Sequence, residues 1–460
     1  MAHPHTPDAK PTPAEANRHR RALRIMVVVL IPLGVWTIAG LIAFWPGDVS
    51  DHINEEVSGY TVAGTTYPTA RITTIVEASC EGAAGSTPGV NSQICANVTV
   101  ELLQGPELGQ SVEVPLTDAI YGSGTRVGQE IKLVRLPPIE DQPVSYQFAE
   151  FERSTPLIVL SVIFAVAVVV VARWRGFASL VGLVFAGFIL VKFMFPALIS
   201  GTNPLVVGLV GSSAIMFVVL YAAHGFSTRT TTALLGTLFG LILTAVLGWA
   251  ASRWAHLTGV TSDDDYLLAG AAPDLRLTSV VICGIIVAGL GVLNDVTITQ
   301  ASAVWELADS DPRRKNLFSS AMRIGRDHIA STVYTIAFAT AGAALPVLLL
   351  IAIYNRPLLQ VVQTEQFAGE VIRALVGSIG LVLAVPLTTA IGVAVVRASR
   401  SRGQAVSARP SPKSPAPAAA QESPTVIVRG RRRDRRELDD LDYSDLRDPA
   451  ADDTQLRRPQ

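Results

Sequence analysis

Eight stretches of this chain are apolar enough and long enough to cross a bilayer, whose hydrocarbon core takes about 20 mainly apolar residues per helix. The first, Met26 to Trp45, holds no charge and follows Arg18, Arg20, Arg21 and Arg24. It reads as an uncleaved anchor. A cleavable signal peptide is the competing reading, opposed by the length of the apolar run and the lack of a clean small-x-small site after it. Seven further spans fall near 156–172, 177–200, 204–223, 231–251, 277–300, 330–353 and 373–396. Between the first and second spans the period changes to two. Val98, Val100 and Leu102 alternate with polar neighbours, the signature of a half-buried strand. Strands are expected over 70–77, 96–103, 110–115 and 129–136, punctuated by Gly105-Pro106, Gly122, Gly124 and Gly128. Short strands at this spacing predict a small antiparallel barrel or sandwich, OB-like in character.

Basic residues orient the spans, because cytoplasmic loops carry an excess of Lys and Arg. With the N-terminus inside, the inner connections hold Arg173 and Arg175, then Arg229, then Arg313, Arg314 and Lys315; Arg397, Arg400 and Arg402 follow the last span. The outer side takes Arg253, Arg276 and Arg356 near span ends, and Asp263, Asp264 and Asp265. This predicts an α-helical polytopic membrane protein with eight transmembrane helices and both termini cytoplasmic. Its parts are a cytoplasmic tail (1–25), a first transmembrane helix (26–45), a β-rich extracytoplasmic domain (46–154), a seven-helix membrane domain (155–397) and a disordered cytoplasmic tail (398–460). Cys80 and Cys95 then lie on the oxidising side, where disulfides persist, and are candidates for a bond. Cys283 falls within the sixth span, where a packed inert thiol is expected.

Composition agrees with this layout. The chain has 460 residues, 49% hydrophobic and only 16% charged, against roughly 25% charged in soluble domains. From Pro156 to Val396 there are 24 Asp, Glu, Lys and Arg in 241 residues, whereas the last 64 residues hold another 24. That tail runs from Ser/Ala/Pro repeats into Arg429-Gly-Arg-Arg-Arg-Asp-Arg-Arg and then an acidic stretch, a composition that cannot bury a core. Its basic block suits anionic lipid head groups, so membrane lipids are the expected partners. Nucleic acid is not expected of a membrane-tethered tail lacking interleaved aromatics.

Because intramembrane ionisable groups are few, each is informative. Lys192 interrupts the third span, either snorkelling outward or serving a function. The sixth span carries Asp295, Thr299, Ser302 and Glu306 on one helical face, a polar stripe where lipid would demand apolar side chains. The stripe lines a polar pathway or marks a helix leaving the membrane. Gly289 and Gly291 precede it, either for close helix packing or as a helix break. An amphipathic interfacial helix is expected near 312–328, with Asp311 as cap and Pro312 in the first turn. Arg326 and Asp327 at its end are placed to balance the acidic stripe.

Enzyme readings find little support. The sequence has no phosphate-binding Gly-x4-Gly-Lys-Ser/Thr loop and no His-Glu-x-x-His zinc helix. Only Asp295 lies inside a span, so no carboxylate pair can share a proton there. Gly377-Ser378-Ile-Gly380 has no histidine well inside any span to act as its base. Catalytic residues, cofactors and metals are therefore not expected.

Two motifs carry a family resemblance. Gly291-Val-Leu-Asn294-Asp295-Val-Thr-Ile-Thr-Gln-Ala-Ser302, followed by Gly325-Arg326-Asp327-His328-Ile-Ala-Ser-Thr332, resembles the YibE/F-like membrane proteins of actinobacterial type. The relatives often carry Met at the place of Asn294. The resemblance covers spans two to eight and, loosely, the ectodomain. It implies a multi-pass protein of the bacterial cell membrane, with no cofactor to carry across. The expected function is transporter- or permease-like, with Asp295, Thr299, Ser302 and Glu306 lining a pathway and Lys192, Arg326 and Asp327 as charge partners. The alternative is a non-transporting scaffold or envelope-assembly factor that binds a partner through its ectodomain, alone or as an oligomer with itself or a family member.

Overall fold

The period-two region folds as five antiparallel strands in the computed structural model, which describes residues 13–54, 64–80, 94–138, 143–311, 315–354 and 357–407. After α1 (Pro13–Ala43) come β1 (Thr69–Ser79), β2 (Ile94–Leu102), β3 (Ser111–Leu116), the short α2 (Asp118–Tyr121), β4 (Glu130–Leu136) and β5 (Ser145–Phe151). The sheet order is β3-β2-β1-β4-β5. Its alternation packs one face inward: Ile72, Val98, Val100, Leu102, Val114, Ile131 and Leu133 are all buried in one cluster. Irregularities at Ile72/Thr74 and Lys132/Leu133 interrupt the register. Such bulges bend and twist a sheet, and β3 and β5 come to lie against each other, giving a small barrel-like sheet. Cys80 and Cys95, 5.1 Å apart at Cα, form a disulfide where the end of β1 meets the start of β2. The fifth strand falls outside the sequence expectation, although Tyr146 and Phe148 do alternate with polar residues.

The helical part begins with α3 (Ser154–Ile189), one π-turn (Leu190–Met194) and α4 (Phe195–Ile199). Arg173 breaks this run with φ 54° and ψ −133°. At 1.5 Å per residue, 46 helical residues would extend about 69 Å, twice a hydrocarbon core. α5 (Pro204–His224) starts sharply because Asn203 Oδ1 accepts from Leu205 N at 2.9 Å and Pro204 needs no N–H partner. It stops at Gly225, whose φ of 72° suits glycine. Ser227 caps α6 (Thr228–Trp254) by accepting from Thr230 N at 3.1 Å. Then follow α7 (Asp263–Ala271), α8 (Leu277–Ser310), α9 (Leu317–Ala343), α10 (Leu345–Tyr354), α11 (Leu358–Val362) and α12 (Glu365–Ser407).

Five of these helical runs are long and apolar enough to cross a membrane: Ser154–Ile199, α5, α6, α8 and Glu365–Ala398 of α12. α9 and α10, bent by 69°, make a sixth if taken as one broken span. The bend has a chemical cause: Pro346 lacks an N–H and disfavours helical backbone at Leu345. α9 differs from the expected pair of an interfacial helix and a separate span. It starts at Leu317 and runs unbroken through Gly325-Arg326-Asp327-His328 to Ala343, since nothing in that segment breaks a helix. Pro312, Arg313 and Arg314 lie outside the described residues, as do the N-terminal 1–12 and the tail 408–460.

The core lies where α5, α6, α8 and α12 meet. α6 sits innermost and contacts α8 and α12 along its length, with glycines at the seams. A Cβ at Gly240 would meet Leu293 at 2.8 Å, and one at Gly248 would meet Ile285 at 3.0 Å. α3, by contrast, presents its apolar side chains outward, with Val171 84% and Trp174 77% exposed. Apolar surface on this scale needs lipid or a protein partner to cover it.

Candidate functional site

α8 places the polar stripe on the outer surface of the bundle rather than at its centre. Asp295, Thr299 and Glu306 are exposed and Ser302 is partly buried, while Val296, Thr297 and Gln300 on the opposite face are buried. The Asp295 carboxylate faces α9, with its Oδ2 3.7 Å from His328 Nε2. That separation is longer than a hydrogen bond. His328 Nε2 is itself shielded and has no hydrogen-bond partner. Thr299 Oγ1 donates to the Asp295 carbonyl at 2.8 Å, so its hydroxyl is engaged within its own helix.

Glu306 lies about three turns further on and pairs elsewhere. Arg229, in the first turn of α6, reaches Glu306 at 3.4 Å and Asp309 at 3.5 Å. These exposed contacts bind the end of α8 to the start of α6, with the modest stability usual for surface pairs. Arg326 and Asp327 are exposed and form no ion pair with the stripe among the described residues. Lys192 is exposed on the π-turn between Ile189 and Phe195. That turn packs on α4 and α5, buries Phe193 and Met194, and brings Phe193 to 5.9 Å from the Trp45 ring. Of the expected charge partners, none meets Asp295. Its partner is His328.

The two glycines have different surroundings. A Cβ at Gly289 would meet Thr244 Cγ2 at 3.1 Å, so this glycine serves close packing of α8 on α6. Gly291 is exposed with nothing within 4 Å of a Cβ. Neither breaks α8, which is continuous from Leu277 to Ser310.

Inside the bundle a set of buried hydroxyl and amide groups joins α6, α8, α9 and α12. Thr237 and Thr297 hydroxyls lie 2.6 Å apart across α6 and α8. Gln300 Nε2 donates to Thr389 Oγ1 at 2.7 Å and to the Ala321 carbonyl at 3.1 Å, tying α8 to α12 and α9. Gly325 permits this approach, since a Cβ there would stand 2.8 Å from Gln300 Oε1 and 2.7 Å from Val385 Cγ1. Thr232, Thr388 and Thr389 hydroxyls return to carbonyls four residues earlier. The sequence signal for this network was Gln300, about 140° around α8 from Asp295 at 100° per residue. Hydropathy conceals the threonines, because a hydroxyl that bonds its own helix tolerates an apolar setting.

Five long apolar helical runs and an outward-facing apolar α3 suggest an α-helical membrane protein. Residues 160–398, just over half of the chain, match the family described as YibE/F-like protein. The chain belongs to that family. No curated protein and no solved structure matches it.

Proposed function

We propose that this protein is a permease-like carrier of the bacterial cell membrane, whose polar pathway runs along the α8/α9 surface past Asp295 and His328. The observation that carries the reading is the Asp295–His328 contact: a carboxylate facing an imidazole nitrogen that has no hydrogen bond of its own. Histidine is the side chain best suited to exchange a proton near neutral pH, and intramembrane ionisable groups are characteristic of such relays. Counting Val27–Ala43 as a crossing, the Arg173 break as a turn between two crossings, and α9–α10 as one broken crossing gives eight in all. With arginines inside, both termini are cytoplasmic and Asp295 lies about 27 Å along α8 from its outer end. Arg229, Glu306 and Asp309 then sit at the inner boundary. The barrel-like sheet lies outside, and its strand order, with a helix after β3, supports an OB-like domain. Thr299 and Ser302 flank the pathway, and the exposed stripe calls for membrane lipid or a second subunit, of this chain or of a family member, as cover.

The test is flux. Full-length protein reconstituted into liposomes with an internal pH dye and a solute panel is expected to move protons or a solute. Asp295→Asn should abolish that movement at unchanged folded yield, and His328→Gln should reduce it at least tenfold. Flux that persists in Asp295→Asn, or no flux across the panel, removes the basis of the reading.

A second reading, a non-transporting scaffold, draws on the interior. The Thr232, Thr237, Thr297, Thr388 and Thr389 hydroxyls are engaged with one another or with helix carbonyls, which ties the centre of the bundle together. For a scaffold, Asp295→Asn lowers folded yield or partner recovery and leaves no flux to measure.

A further inference from the structure

The second half of β1 is paired on one side only. β2 accompanies β1 from Ala70, opposite Leu102, to Ser79, opposite Ile94. β4 covers the other side only from Thr69 to Arg71. Two further backbone bonds close that contact: Ile72 N donates to the Gln129 carbonyl at 2.9 Å, and Gly128 N to the Ile72 carbonyl at 2.8 Å. The irregularity between Ile72 and Thr74 then bends β1 away from β4. Beyond it, among the described residues, no backbone group bonds the far side of residues 73–79. Thr73, Thr74, Val76, Glu77 and Ser79 are exposed along this edge, Val76 by 62%. The Cys80–Cys95 disulfide ties its end to the start of β2.

An unpaired strand edge is a template for a further strand, and proteins that keep one free guard it with Pro, Lys or a bulge. Residues 74–79, Thr-Ile-Val-Glu-Ala-Ser, carry none of these. Their single charge, Glu77, is already engaged, since the Tyr121 hydroxyl donates to its Oε1 at 2.8 Å. The edge therefore has little to select a charged partner, yet it complements itself. In an antiparallel pair centred on Val76, that valine meets its own counterpart, Thr74 meets Ala78, and Glu77 meets Ile75. No like charges stand opposite one another, the arrangement that would oppose pairing. We propose that the free edge of β1 pairs with the same edge of a second copy of this chain, about a two-fold axis at Val76. Main-chain bonds supply the attraction, and the apolar valine pair fixes the register. Both copies use the same surface, as a closed two-fold interface requires. Apolar helices precede and follow the sheet, so two copies held in one bilayer meet at high effective concentration. The pairing does not depend on the flux reading above, because it concerns the sheet alone.

Full-length protein carrying Val76→Cys, oxidised in membranes, tests the register. Directly opposite residues in an antiparallel pair stand about 4.5–5.5 Å apart at Cα, within reach of a disulfide. The native cysteines are bonded or buried, so the new thiol is the reactive one. A covalent dimer should form and dissolve on reduction. Leu108→Cys, 66% exposed in the β2–β3 turn, should give at least tenfold less dimer. Sedimentation in detergent provides a reading without added cysteine. Val76→Lys and Val76→Glu each place like charges face to face at an exposed position. Each should weaken the dimer at least tenfold with an unchanged far-ultraviolet spectrum, and mixing the two variants should restore it. A wild-type chain that sediments as a monomer, equal cross-linking at Val76 and Leu108, or a dimer indifferent to Val76→Lys would each overturn the proposal. So would Val76→Cys cross-linked to a different protein, which would assign the edge to a foreign strand.

Discussion

Single residues show how local chemistry sets the behaviour of the barrel-like sheet. Glu107 accepts from Arg135 Nη2 at 2.6 Å and Nε at 2.9 Å, and from the Tyr146 hydroxyl at 2.9 Å. The Arg135 guanidinium holds the Glu107 carboxyl below its usual 4.5, and the Tyr146 hydrogen bond adds to the effect. A carboxylate depressed in the folded state contributes stability that is fully present above its unfolded value and lost as pH falls through the folded one. The melting midpoint of the sheet region should therefore decline as pH drops below about 4.5. Glu107→Gln should lower that midpoint at neutral pH and flatten its acid dependence; an unchanged acid profile would assign the loss to other groups. Asp265 is also depressed, chiefly by the Thr261 backbone N–H, and any residual acid dependence belongs partly to that α7 cap.

Helix pairs, at the next scale, are governed by how closely their backbones approach. A Cβ at Gly236 would overlap the Thr388 hydroxyl, whose own bond to Ala384 fixes its rotamer. At Gly291 the same addition meets open space. Gly236→Val should cost about 1–3 kcal/mol through overpacking, read as reduced folded yield and a lower midpoint in detergent. Gly291→Ala should be neutral or slightly stabilising, because alanine is the better helix former. If both substitutions are tolerated alike, the α6–α12 seam is looser than the geometry indicates. The sequence shows Gly289 and Gly291 as equals, and only the rotation of α8 tells them apart: one faces Thr244, the other the bundle's surface. A similar difference separates α9 from its expectation. The amphipathic pattern from Leu317 to His328 is present, but it forms the first turns of a longer helix, with Leu317, Ala321 and Gly325 against the bundle.

For the whole molecule the decisive quantity is orientation. The proposed topology puts the disulfide and the barrel on the oxidising side, and the arginine-rich loops on the other. Native cysteines leave a quiet background for labelling, since Cys80 and Cys95 are bonded and Cys283 is buried. Ser123→Cys, exposed on the barrel, should react with a membrane-impermeant maleimide in intact cells. Ser319→Cys, exposed at the start of α9, should react only after permeabilisation. The reverse pattern would invert the proposed topology. The Asp295–His328 contact would then lie toward the outside.

The one-dimensional pattern alone determined the parts list: apolar runs, a period-two ectodomain, a bondable cysteine pair, and a charge-poor block whose rare polar motifs mark the family. These are legible because bilayer thickness and strand pleat impose lengths and periods on consecutive residues. Tertiary structure alone decided the partners. Asp295 meets His328 rather than Lys192, Arg326 or Asp327, Glu306 meets Arg229, and Gln300 joins three helices from the face opposite the stripe. A cavity beside the first turns of α12 likewise draws on residues from Leu257 to Arg373. Such pairings depend on how helices distant in sequence rotate and approach one another, and that is set by the glycine and threonine seams through which they pack, not by the order of residues within any one helix.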